Sequence, residues 1–178
     1  MKILAPNLYK IILTNKNMRT SSRNLYIVKG SERSLMIDTS WNVPECLSEM
    51  EQALNELSID CRNLDILVTH NHVDHSGYVS FFTDRGARAF MNPVEIAASS
   101  DRYHRFYEDN DMRRSYTSEV GVTKERTPDA WQEIKAGADQ LARDNNVNFD
   151  FPFTPIAPGD RLSYGGYDFE VVSLAGHT

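Results

Sequence analysis

"DILVTHNHVDHSG", residues 65–77, decides how this chain is read. Its first half, "DILVTH", is a short and continuously apolar run, the pattern of a strand buried on both faces. Its second half holds His70, His72 and His75, three of the chain's five histidines. Scattered histidines are usually satisfied core or surface residues, but three with an aspartate in six positions at a strand end need a chemical reason. Neutral imidazoles and a carboxylate are the usual ligands of Zn²⁺ and related ions. In an extended loop residues i and i+2 point to one side, so His70 and His72 can grip one ion together. Asp74 and His75 follow where the chain turns into a helix. Their different directions suit a second ion, about 3.5–4 Å from the first, in the arrangement used by two-metal hydrolases. The start of that helix near Ser76 adds a dipole favourable to an anionic group.

Upstream of this stretch, "LYKIILT" (8–14), "NLYIVKG" (24–30) and "SLMIDTS" (34–40) are rich in β-branched and aromatic residues and read as a β-meander. "NVPECLSEMEQALNEL" (42–57) then changes period. Leu47, Met50, Leu54 and Leu57 fall on one helical face, with Asn42 and Glu45 as a capping box and Pro44 in the first turn. Downstream, "SGYVSFFTDRG" reads as a short helix ending at Gly86, "ARAFMN" as a strand and "PVEIAASS" as a helix start. Such alternation indicates α/β layering. Residues 101–144 hold 10 acids and 8 bases, a density that sets them apart from the β-rich remainder. With the helical pattern after Thr127 and Pro128, they are expected to form a helical insertion over about 101–148 of a single 1–178 domain. "PGDRLSYGGYDFEVV" reads as a hairpin turning at Gly165–Gly166.

The composition narrows the function classes. An apolar share of 40% and a charged share of 25% describe an ordinary globular chain, not a disordered or fibrous one. A net charge of −6 argues against a phosphate-tracking surface, so nucleic acid is not an expected partner. No apolar stretch approaches a membrane span and no leader pattern opens the chain, so a cytoplasmic protein without a membrane partner is expected. Cys46 and Cys61 then read as two free thiols.

The string His70-x-His72-x-Asp74-His75 after a short hydrophobic strand resembles the signature of the metallo-β-lactamase fold superfamily. "LMIDTS" ends in Asp38, where that family carries a strand-end aspartate supporting the metal loop. "GHT" at 176–178 matches its next ligand, His177. The order of meander, helix, strand and motif is also the family's. The resemblance implies an α/β (α+β) fold, an αββα sandwich whose second sheet is incomplete in this chain. It implies a first metal site of His70, His72 and His177, and a second begun by Asp74 and His75. Asp74 would be catalytic, orienting a metal-bound hydroxide, and Asp38 would stand behind the ligands. The ions would be one or two Zn, with Fe or Mn admitted by the same donors. The family's pattern continues past "GHT" with a bridging Asp and a final His that this chain lacks, so a truncated part of a longer protein is expected. Its open sheet edge would invite pairing with another copy.

By the same resemblance, the expected function of the full-length parent is metal-dependent hydrolysis of a small acyl substrate, a thioester, lactone or other ester, with this chain itself expected to be impaired or inactive. His72 stands where the flavodiiron members place a carboxylate, and His75 where the commonest antibiotic-hydrolysing subclass has Arg. A catalytically incompetent fragment and a nuclease-type phosphodiesterase are the alternatives. Tyr103, His104, Tyr107 and Trp41 are candidates to line the substrate pocket, against the plainer reading that the aromatics pack on the core. Arg113–Arg114 could receive a substrate carboxylate or simply form a solvated helix face.

Overall fold

The computed structural model describes residues 1–14, 22–100 (98–100 as backbone), 121, 125–130, 132 and 152–174. The chain divides into two compact units, Met1–Ala97 with Val147–Thr178, and Ala98–Asn146. In the second unit the described residues 128–130 and 132 are helical. The strands belong to the first unit.

Its strands are β1 (Lys2–Ala5), β2 (Leu8–Thr14), β3 (Ser22–Val28), β4 (Ser34–Ile37), β5 (Leu64–Leu67), β6 (Arg88–Met91), β7 (Phe153–Pro155), β8 (Arg161–Tyr164) and β9 (Tyr167–Glu170). The first seven form one sheet in sequence order, and β8 with β9 a separate two-stranded one. Strands β1 to β4 are antiparallel, as a meander must be; β4 to β7 run parallel. Parallel neighbours need crossover connections. Helix α1 (Pro44–Glu56) lies between β4 and β5; α2 (Val73–Ser76) and α3 (Val79–Thr83) lie between β5 and β6; α4 (Pro93–Ser100) follows β6. This is a mixed α/β architecture, as the sequence pattern predicts.

Alternation across the pleat selects the core. Ile27, Met36, Ile66 and Ala89 sit opposite one another along a single row of the sheet. All four are buried, in one cluster with Met50, Leu54, Val79 and Phe82 from the helices. Burying each large member contributes roughly 1.5–3 kcal/mol. Among the described residues, no helix is long and apolar enough to cross a membrane.

Several local expectations differ. The N-cap of α1 is Val43, with no side-chain bond, so Asn42 and Glu45 form no capping box. Pro44 at the first helical position fixes the start one residue later than the box requires. The buried face of α1 carries Cys46, Met50, Ala53 and Leu54, with Leu47 only partly covered. The single helix expected before Gly86 is α3 alone, preceded by the four-residue α2, which starts at Val73 rather than near Ser76. Residues 69–71 form a bend rather than an extended loop. Strand β1 has no counterpart in the sequence reading. The hairpin at Gly165–Gly166 is present, both glycines at positive φ (59° and 89°), where a side chain is disfavoured.

Candidate metal centre

Strands β4 and β5 end side by side, Ile37 opposite Leu67. The chain just past each end supplies the site. At the β4 end Asp38 turns into left-handed backbone (φ 63°), which aspartate tolerates better than most residues. Its amide donates to the Leu67 carbonyl (2.8 Å), and the Thr39 amide donates to that of His75 (2.7 Å), fastening β4 to the histidine loop. From the other side, Glu95 Oε2 on α4 accepts the Asn71 amide at 2.9 Å. Ser76 Oγ closes α2 on the His72 carbonyl at 2.8 Å.

Asp38 organises the donors. Its carboxylate accepts the Thr69 amide (2.7 Å) and the Thr69 hydroxyl (2.9 Å to Oδ2), and Oδ2 lies 2.8 Å from His75 Nδ1. A carboxylate partner keeps the proton on Nδ1, so a neutral His75 presents a lone pair at Nε2. With its own proton given to Asp38, the Thr69 hydroxyl accepts at 3.0 Å from His70 Nδ1. His70 is thereby also left with a lone pair at Nε2. One aspartate sets both tautomers.

The donors converge. His70 Nε2 lies 3.1 Å from His72 Nδ1, and the His70 and His75 rings are 4.1 Å apart, so three imidazoles form one half-buried cluster. His75 Nε2 is 3.5 Å from Asp74 Oδ2. Burial pushes the Asp74 carboxyl up, but a protonated His75 and Arg23 outweigh it and hold it below the usual range. Arg23 is a site residue that sequence reasoning missed. Its Nε donates to Asp74 Oδ2 at 2.5 Å, a second guanidinium nitrogen reaches the same oxygen, and the guanidinium lies over the Trp41 ring (5.1 Å). Trp41 itself is buried in the core. His177, Tyr103, His104, Tyr107 and Arg113–Arg114 lie outside the described residues.

The donor set suits a divalent cation. Two nitrogens on a tetrahedral zinc, each at about 2.0–2.1 Å, stand about 3.3 Å apart, close to the observed His70–His72 spacing. Two nitrogens rest that near each other only when a proton or a cation lies between them. Among the described residues, no group of three or more His, Cys, Asp and Glu side chains stands in metal-binding geometry. The centre is therefore paired edges, His70 with His72 and Asp74 with His75, rather than a closed cage.

No family model matches the sequence. Solved structures do match. A metallo-β-lactamase family protein from Thermus thermophilus is similar over 96% of this chain and 52% of its own, at 23% identity and a TM-score of 0.65. A β-lactamase domain protein from Burkholderia ambifaria is similar over 95% and 47%, at 18% identity and a TM-score of 0.67. BJP-1, a subclass B3 metallo-β-lactamase of Bradyrhizobium japonicum, is similar over 99% and 52%, at 17% identity and a TM-score of 0.55. The chain thus spans about half the length of each of them. Strand order, the crossover helices and this agreement along nearly the whole chain identify its fold as the metallo-β-lactamase fold.

Proposed function

We propose that this chain carries the metal-binding core of a hydrolase acting on a small acyl substrate, a thioester, lactone or other ester. The observation supporting it is the convergence of His70, His72, Asp74 and His75 in one cluster, with His75 Nδ1 held on Asp38 and His70 Nδ1 on Thr69. His70 and His72 would hold a first ion, with His177 as their partner, and Asp74 and His75 would begin a second place. Zinc suits these donors best, and iron or manganese are admitted by them. When bound, the ion supplies Lewis-acid polarisation of the acyl carbonyl and acidifies water toward neutral pH. Asp38 keeps the protons on the far side of His70 and His75. Asp74 Oδ2, the catalytic oxygen in this reading, accepts hydrogen bonds and orients the attacking water. The setting is cytoplasmic, with Cys46 and Cys61 as free thiols.

The test is elemental analysis of the purified chain beside His72→Ala, then assay of a zinc-loaded version extended toward the length of the matched structures on thioesters, lactones and phosphodiesters. We expect about one ion per chain, lost in the variant, and turnover of an activated thioester or lactone. Cleavage of phosphodiesters alone would transfer the chain to the nuclease class, which the net charge of −6 disfavours. Absence of any ion would leave a structural domain.

A further inference from the structure

Arg23 reaches the centre from a strand that carries none of the histidines. Strand β3 runs antiparallel to β4 with Tyr26 opposite Ile37, so Arg23, three residues before Tyr26, lies level with the chain beyond the β4 end. Its guanidinium is held twice. One hold is the Trp41 ring at 5.1 Å, a buried face. The other is Asp74 Oδ2, contacted by two nitrogens of the fork, with Nε at 2.5 Å. The same oxygen faces His75 Nε2 at 3.5 Å. Of the two oxygens of Asp74, the one that faces His75 Nε2 is therefore the one Arg23 covers. A guanidinium and a divalent ion are both cations seeking that oxygen, and both cannot have it at full strength.

We propose that Arg23 is a positioning residue that acts as an internal competitor for metal. It holds Asp74 Oδ2 and has to withdraw before the Asp74–His75 side of the centre takes a divalent cation. This rests on the metal-centre reading and adds a control of affinity to it. Trp41 gives the competition its strength, because a guanidinium stacked on a buried ring loses little freedom when it grips the carboxylate. Asp74 is nearly covered, with 13% of its side chain exposed, while Arg23 is 41% exposed, so Arg23 can swing outward without opening the core.

The experiment is calorimetric titration of Zn²⁺ into the wild-type chain, Arg23→Met, Arg23→Lys and His72→Ala, with Co²⁺ absorption spectra as a second readout and circular dichroism to verify folding. Arg23→Met keeps the apolar stem over Trp41 and removes the charge. We expect it to bind Zn²⁺ about two- to fivefold more tightly than wild type, the range for losing a partly exposed ion pair that metal must break. Arg23→Lys, which keeps the charge, should stay near wild type. Its Co²⁺ spectrum should change less than that of Arg23→Met. A purely structural Arg23 gives the opposite sign, since Asp74 left loose binds metal more weakly. Equal or weaker affinity in Arg23→Met, with His72→Ala impaired, overturns this inference alone. No Zn²⁺ bound by any variant, wild type included, overturns the metal-centre reading and the inference together.

Discussion

Asp38 bears on the centre through hydrogen bonds alone, which makes it separable from the ligands. Asparagine also tolerates the left-handed backbone found there (φ 63°), so Asp38→Asn spares the turn and alters only the carboxylate. The amide cannot accept from Thr69 and from His75 Nδ1 at once as the carboxylate does. The tautomers of His70 and His75 then lose their common reference. Zinc affinity should fall about 10- to 100-fold, the range for groups that orient metal ligands. Zinc titration measures this, and an unchanged affinity would detach Asp38 from the centre. Asp38 was legible beforehand only through the family resemblance, which places an aspartate at the end of that strand. Arg23 was not legible. It sits 51 residues from Asp74 in a strand whose pattern explains it without a partner, and only the β3–β4 register brings the two together.

At the scale of elements, the break between α2 and α3 positions the histidine loop. Gly77 ends α2 with ordinary helical backbone (φ −59°), so its smallness rather than its freedom is what matters. A Cβ there would lie 2.3 Å from the Ser40 carbonyl oxygen and 2.8 Å from the Asn42 amide nitrogen, both backbone atoms. α2 therefore lies directly against the chain leaving β4, and a methyl would push it and the histidines away. Gly77→Ala should cost about 1–3 kcal/mol in urea unfolding and weaken zinc binding with it. Wild-type stability in that variant would refute the close approach. The periodic elements were readable because their apolar positions follow the pleat or the helix face. Junctions were harder. Asn42 and Glu45 have capping-box spacing, yet Pro44 claims the first helical position and makes Val43 the cap. Strand β1 was passed over because Pro6 and Asn7 interrupt its apolar run. Those two residues are in fact its turn, with Ala5 paired to Leu8 and Asn7 at φ 61°.

Across the molecule, the end of the sheet opposite the metal loop is tied by one carboxylate. Asp65, inside the strand that reads as uniformly apolar, has no exposed surface. Arg33 donates to its Oδ1 (2.9 and 2.6 Å), Arg88 to both oxygens (2.7 and 2.5 Å), and the Tyr164 hydroxyl to Oδ2 at 2.6 Å. These partners come from the β3–β4 loop, from β6 and from the β8–β9 hairpin, at separations of 32, 23 and 99 residues that no local pattern could reveal. Burial pushes the Asp65 carboxyl up, but the hydrogen bonds from Arg88, Arg33 and Tyr164 prevail and hold it at about 2. A carboxyl depressed in the folded state stabilises above its unfolded value near 3.9, and that stability is lost as pH falls toward 2. Tyr164→Phe removes one bond to the charge and leaves the hairpin its contacts from Tyr167 to the Pro6 carbonyl (2.7 Å) and from Asn7 to the Gly165 carbonyl (3.0 Å). It should destabilise the fold by about 1.5–3 kcal/mol at pH 7, the worth of a hydrogen bond to a buried charge. The deficit should shrink as the solution is acidified, because a protonated Asp65 gains less from the phenol. Urea unfolding of both proteins at pH 7 and pH 2 measures the two deficits. Equal deficits at the two pH values would show that Tyr164 supports the hairpin by packing and that the Asp65 charge does not hold the second sheet.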